Sequence, residues 1–176
     1  GTLALPAHAA APPAVEAEHG MVVSAQRLAA EAGIAILKQG GNAIDVAVAA
    51  GYAEAVVNPC CGNIGGGGFL LARMADGREV FVDFRETAPA SASRDMYLGP
   101  DGQPSKSASL YGWRAVGVPG TVAGFELALQ RYGSLPRSVV MAPAIALAAQ
   151  GFELTRGDTD IVARYAPLLR KNADRK

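Results

Sequence analysis

Arg85 is the side chain whose type and placement most plainly allow chemistry. It stands in the run Phe84-Arg85-Glu86-Thr87-Ala88-Pro89, at the exit of an alternating apolar segment. On an alternating strand Val80, Val82 and Phe84 share one face, and Phe81, Asp83 and Arg85 the other. A guanidinium in that position has two uses. It can pair with Asp83 or Glu86, which adds little stability at a surface. Alternatively, its planar fork can hold a carboxylate through two parallel hydrogen bonds. Local sequence favours the first.

Upstream lies Pro59-Cys60-Cys61-Gly62-Asn63-Ile64-Gly65-Gly66-Gly67-Gly68-Phe69. Four successive glycines strip the side chains from a stretch of backbone. Another chain or a ligand can then approach closely, and positive φ angles become accessible. A phosphate loop would end in lysine and a hydroxyl residue, whereas Phe69-Leu70-Leu71 follow here. The expectation is therefore a tight turn packed under a neighbouring backbone. A bridge between the adjacent Cys60 and Cys61 would close a strained ring, outside ordinary disulfide spacing. Both are expected to be small buried apolar residues.

A nucleophile set cannot be completed from these residues. The only histidines, His8 and His19, lie in the N-terminal leader, so a serine or cysteine nucleophile has no base and a zinc set has no ligands. Asp45, Glu54, Asp83 and Glu86 are candidate carboxylates, but no spacing marks two of them as a catalytic pair. No metal and no cofactor is called for, and no catalytic residue is assigned within this chain.

The elements that must position Arg85 can be read from periodicity. Met21 to Val23 reads as a short strand and Ser24 as an N-cap. Ala25, Leu28, Ala29, Ala32 and Ile36 recur at helical spacing, and Gly40-Gly41 stops that helix. Asn42 can cap the next helix, with Asp45 in its first turn facing the positive end of the dipole. Ala43 to Val57 is the most apolar stretch. It is too short to span a bilayer comfortably and reads as a buried helix ending at Asn58-Pro59. Phe69–Met74 and Glu79–Phe84, joined through Asp76-Gly77, read as a hairpin. Thr87 to Tyr111 should be mostly loop. Pro119-Gly120 opens a helix with Val122, Phe125, Leu129 and Tyr132 on one face, closed by Gly133. Ser134-Leu135-Pro136 starts another, and Pro143 is expected to begin a fresh one ending at Gly151. The stretch after Gly157 reads as a charged helix whose last residues, Asn172 to Lys176, fray.

With 176 residues the chain can bury one core. Lysine plus arginine equal aspartate plus glutamate at 16 each, so no electrostatic footprint for nucleic acid or an anionic membrane is present. Gly1 to Ala10 reads as the tail of an export signal, with Ala7-His8-Ala9 as the small-any-small run that a signal peptidase cuts; a disordered Ala/Pro-rich leader is the alternative. Either way residues 1–19 are expected to add nothing to the core.

Several ordered motifs in one register resemble the gamma-glutamyltranspeptidase family. They are Gly33-Ile34-Ala35-Ile36-Leu37-Lys38 with Gly40-Gly41-Asn42-Ala43-Ile44-Asp45, the Cys-Cys-Gly-Asn and four-glycine run, and Asp83-Phe84-Arg85-Glu86 with Ala88-Pro89. Val118-Pro119-Gly120-Thr121-Val122-Ala123-Gly124 and Gln150-Gly151-Phe152 complete the set, so the likeness runs from about Gly20 to about Gly157. The resemblance implies an α+β chain, part of an αββα sandwich of the N-terminal-nucleophile hydrolases. It implies a precursor that cuts itself into a large and a small subunit, with residues 20–176 forming the front of the large one. The new N-terminal threonine of the small subunit would attack the γ-glutamyl amide, with glutathione as the typical donor. Arg85 matches the arginine that binds the donor's α-carboxylate, while Asn63 and the glycines would shape the wall beneath. The implied setting is periplasmic or secreted. Two alternatives remain: an acylase acting on glutaryl-type side chains of cephalosporins, and a non-catalytic partner subunit.

Overall fold

The computed structural model describes residues 14–105 and 107–173. The chain runs through α1 (Arg27–Lys38), α2 (Ala43–Val57), β1 (Phe69–Arg73), β2 (Glu79–Asp83), α3 (Thr121–Tyr132), α4 (Arg137–Gln150) and α5 (Arg156–Ala173). A single 3-10 turn at Trp113–Ala115 interrupts the long loop before α3. The architecture is α+β, with helices packed about α2 and one antiparallel hairpin. The leader reading of residues 1–19 falls mostly on residues 1–13, which lie outside those described.

Helix α2 is the centre because its sequence is apolar on every side. Ile44, Val46, Val48, Ala49, Tyr52, Ala53 and Val57 are all buried, and α1, α3 and α4 pack around them. Ile36, Ile44, Val48, Val57 and Val140 are the largest fully buried apolar side chains. Each such burial stabilises the fold by roughly 1.5–3 kcal/mol. Among the described residues no helix is long and apolar enough to cross a membrane.

The start of α2 is fixed as its sequence predicts, and the same residues do more. Asn42 Oδ1 accepts from the Ile44 and Asp45 amides, and Asp45 Oδ2 accepts from the Asn42 amide at 2.9 Å, a complete capping box. The fully buried Asp45 carboxylate also accepts from the Ser134 amide at 3.1 Å, the Ser134 hydroxyl at 2.6 Å and the Leu135 amide at 3.3 Å. Asn42 Nδ2 donates to the Tyr132 carbonyl at 2.7 Å. Two turns about 90 residues apart in sequence, α1–α2 and α3–α4, are thereby joined by one carboxylate and one amide.

The expected hairpin is present, and its register sets Phe69 opposite Asp83 and Arg73 opposite Glu79. Val80 and Val82 are buried, and Leu70 and Ala72 pack beside them against the helices. Phe69, Leu71 and Phe81 face outward, Phe69 and Phe81 stacking at 5.9 Å. Gly77 takes a positive φ of 86°, as the turn requires.

Several expectations need correction. Met21–Val23 is not a strand, since among the described residues no second strand pairs with it. The N-cap of α1 is Gln26 rather than Ser24, because the Ser24 hydroxyl is drawn to the Glu54 carboxylate on α2. Phe125, Leu129 and Tyr132 do pack on the core, but Val122 is exposed, and the buried line of α3 is Thr121, Gly124 and Ala128. Pro143 does not begin a new helix. It lies inside a continuous α4, close to Val140 and Ala144, which the core buries. Cys60 and Cys61 are not buried. The turn after α2, closed by the Gly62 amide on the Asn58 carbonyl, carries both at the surface, joined as a disulfide between neighbours. Asn172 and Ala173 belong to α5, and residues 174–176 lie outside those described.

Helix α5 begins with a second reciprocal cap. The Thr155 amide donates to Asp158 Oδ2 at 3.1 Å, and the Asp158 amide donates to the Thr155 hydroxyl oxygen at 3.2 Å. Gln26 Nε2 adds a bond to Asp158 Oδ1 at 2.9 Å, tying α5 to the start of α1. The Thr155 hydroxyl above all, opposed by burial and helped by the Thr155 amide and Gln26, holds the Asp158 carboxyl below its ordinary value. A folded-state pKa lower than the unfolded one stabilises above the unfolded value and is lost as pH falls through the folded one. Protection factors of α5 amides should therefore hold at neutral pH and fall once pH drops below the ordinary aspartate value of about 3.9. Asp158→Asn should give the loosened helix already at neutral pH. Equal protection of wild type and variant across that range would contradict the assigned cap.

Candidate functional site

Arg85 leaves the hairpin one residue beyond the last paired turn of backbone. Phe84 still exchanges both hydrogen bonds with Gly68, its amide donating to the Gly68 carbonyl at 3.0 Å and its carbonyl accepting at 3.4 Å. The Arg85 amide then donates to Asp83 Oδ1 at 3.0 Å. Thr87 pairs with Val118 across an isolated bridge, so the chain on the far side of Arg85 is fixed as well.

The local pairing that sequence favoured for Arg85 is not formed. Asp83 is engaged by the Arg85 main chain, and the Glu86 carboxylate lies against Gly67. Arg85 is exposed, and its guanidinium makes no ion pair among the described residues. A cation held on fixed backbone with its fork free can receive a carboxylate in a bidentate manner.

The glycine run is the floor on which this segment rests. None of Gly62 to Gly68 has a positive φ, so close approach rather than conformational freedom explains them. A Cβ at Gly67 would overlap the Glu86 amide and the Phe84 carbonyl. Gly66 offers its carbonyl to the amides of Gly120 at 2.8 Å and Thr121 at 3.1 Å. Helix α3 has no side-chain cap, and this carbonyl takes two of the donors its first turn exposes. Asn63 Oδ1 completes the arrangement. It accepts from the Gly66 amide at 2.9 Å and from the buried Thr121 hydroxyl at 2.8 Å. The expected tight turn beneath a neighbouring backbone is present, and Asn63 belongs to it.

Beyond Pro89 the chain borders an open cleft of about 450 Å³, lined by Ser91, Asp95, Met96, Leu98, Trp113 and Arg114. Trp113 is 91% exposed there. The loop expected from Thr87 to Tyr111 covers Ser91 to Leu98 but not Trp113 and Arg114, and the sequence gives none of these residues a role; the lone tryptophan beside Gly112 is the cue it offers. Asp45 and Glu54 are structural, each holding amides or side chains of neighbouring elements. Among the described residues no group of three or more His, Cys, Asp or Glu side chains could hold a metal.

A hairpin flanked by buried helices, with an arginine at its exit and a glycine-rich floor, places the chain as an α+β piece of the N-terminal-nucleophile hydrolase fold. The chain belongs to the gamma-glutamyltranspeptidase family, whose model matches residues 29–176. It is similar to a glutathione hydrolase proenzyme of Pseudomonas sp. (strain A14), 56% identical over 155 residues, covering 88% of this chain and 27% of the relative. An acylase ACY 1 proenzyme of Pseudomonas sp. (strain V22) is 44% identical over 142 residues, covering 77% of this chain and 25% of the relative. In three dimensions the chain superposes on the crystal structure of Helicobacter pylori gamma-glutamyltranspeptidase with a TM-score of 0.86 at 42% identity, covering 90% of this chain and 46% of that one. The chain thus spans about a quarter of the length of the curated relatives it matches.

Proposed function

We propose that the full-length protein is a gamma-glutamyltransferase and glutathione hydrolase, and that Arg85 binds the α-carboxylate of its donor. The observation that carries this is the exposed guanidinium at the hairpin exit, without an ion pair among the described residues, on backbone fixed from both sides. A donor α-carboxylate supplies the missing countercharge, and two parallel hydrogen bonds set its orientation.

In this reading the precursor cuts itself, and the new N-terminal threonine belongs to the small subunit that pairs with this chain. Its hydroxyl attacks the γ-glutamyl carbonyl, while its α-amine, titrating near 7.7–8.0 in free peptides, takes the proton. The C–N bond breaks and the proton passes to the leaving amine. Water or an acceptor amine then takes the glutamyl group from the threonine ester. Arg85 contributes by fixing the donor's far end, so that the carbonyl meets the nucleophile in one pose. Export to the periplasm or outside the cell is part of the proposal and rests on the Ala7-His8-Ala9 run.

Similarity to an acylase proenzyme favours one alternative, an acylase; the glutaryl-type substrate raised from the sequence for that alternative also presents a carboxylate. Turnover of γ-glutamyl anilide by the full-length protein, compared with glutaryl anilide lacking the α-amine, separates the two. Faster release from the γ-glutamyl compound is the expected result. Faster release from the glutaryl compound would reassign the protein as an acylase, and release from neither would leave a non-catalytic partner.

A further inference from the structure

Phe84 is the residue immediately before Arg85, and the surrounding glycines make sense only in relation to its ring and carbonyl. A Cβ on Gly124, one turn into α3, would overlap the Phe84 ring, and a Cβ on Gly120 would overlap the Phe84 carbonyl oxygen. A Cβ on Gly68 would stand 3.0 Å from Phe84 Cε2. The ring then meets Phe125 edge-on at 5.7 Å, and Phe125 meets the buried Tyr52 of α2 in the same manner at 5.0 Å. Tyr52 itself is held by its hydroxyl on Glu126 at 3.2 Å, and Glu126 by Arg137 at 2.6 Å. These contacts form one path of packed rings from the backbone of Arg85 to the centre of the helical core.

We infer that Phe84 is a positioning residue for Arg85. Its ring is keyed into the notch left by Gly124 and its carbonyl lies against Gly120, which fixes where the guanidinium starts and hence the pose of the donor's carboxylate. The inference rests on the proposed role of Arg85. Interiors are close-packed and transmit strain, so even one added methyl in the notch displaces the ring and the peptide that follows it. A displacement on the scale of 1 Å at such a point costs on the order of 100-fold in catalytic efficiency.

The test uses the processed full-length enzyme and two donors. One is γ-glutamyl anilide; the other is 4-aminobutyryl anilide, which lacks only the α-carboxylate. Gly124→Ala should lower kcat/KM for the first by roughly 10–100-fold, chiefly through KM, and leave the second nearly unchanged. In an Arg85→Ala background the same substitution should add no further loss. Phe84→Leu combined with Gly124→Ala makes room for the methyl and should recover part of the loss. Equal losses on both donors, or no loss on either, would overturn the inference. If Gly124→Ala does not fold or process, Phe84→Leu alone decides, since it empties the notch without adding a clash; the same selective loss is expected. Failure of the underlying reading looks different: Arg85→Ala itself would then leave the preference for the carboxylate-bearing donor intact.

Discussion

Arg85→Ala in the full-length enzyme should reduce kcat/KM for γ-glutamyl donors by about 2–5 kcal/mol of transition-state stabilisation, the range for truncating one partner of a desolvated, hydrogen-bonded charge pair. The magnitude follows from what the substitution strands. The guanidinium has no ion-pair partner of its own among the described residues, so its removal leaves the incoming carboxylate without a countercharge. Arg85→Lys should also lose activity, because an ammonium is a point charge and cannot reproduce the planar two-bond fork. Steady-state kinetics on γ-glutamyl anilide measure both. Full efficiency in both variants would remove the carboxylate-binding role, whatever the fold.

The second large effect is on stability. Asp45→Ala should destabilise the protein by about 3 kcal/mol or more, since hydrogen bonds to a charged group contribute about 1.5–3 kcal/mol and several are lost together. The Ser134 and Leu135 amides would lose their acceptor inside the fold, and the Asn42 amide would keep only its longer bond to the Ser134 hydroxyl oxygen at 3.3 Å. Asp45→Asn keeps the shape but turns one acceptor oxygen into a donor facing other donors, so it should recover little. A lowered urea midpoint with an unchanged m-value is the expected observation. A midpoint equal to wild type would show that the two turns are held by packing alone. Because the hydrogen-bond partners of Asp45 are Asn42, Ser134 and Leu135, none of them at the hairpin exit, kcat/KM of the folded fraction should change little.

Local chemistry made much of the fold legible. The capping box at Asn42 and Asp45, the all-round apolar helix after it and the hairpin at Asp76-Gly77 are each written within a few neighbouring residues, and each is present. The failures at Ser24 and Pro143 share one physical cause, which is tertiary contact. Ser24 has the composition of a cap, yet its hydroxyl is recruited by Glu54, 30 residues away. Pro143 reads as a break, but packing of Val140 and Ala144 holds α4 continuous through it. The cysteines were assigned by the burial typical of their type, while the turn after Val57 places them at the surface.

At the candidate site the division is similar. Arg85 and the four-glycine run stand out in the sequence, and the expectation of a turn beneath a neighbouring backbone matches the Gly67–Phe84 approach. The fit of Phe84 against Gly120 and Gly124 could not be read, because it joins segments about 40 residues apart by shape alone. The Asn63–Thr121 bond, across 58 residues, is hidden for the same reason. The freedom of the Arg85 guanidinium was equally unreadable: it depends on Asp83 turning to a backbone amide and Glu86 turning to Gly67.

The most direct test of the central claim is intact mass and N-terminal sequencing of everything that co-purifies when the full gene is expressed, with release of aniline from γ-glutamyl anilide followed on the same sample. A second polypeptide beginning with threonine, together with turnover, is the predicted result and places Arg85 opposite a self-generated nucleophile. A single uncut chain, inert toward that donor, would contradict it and mean that the family's fold is present without the family's chemistry.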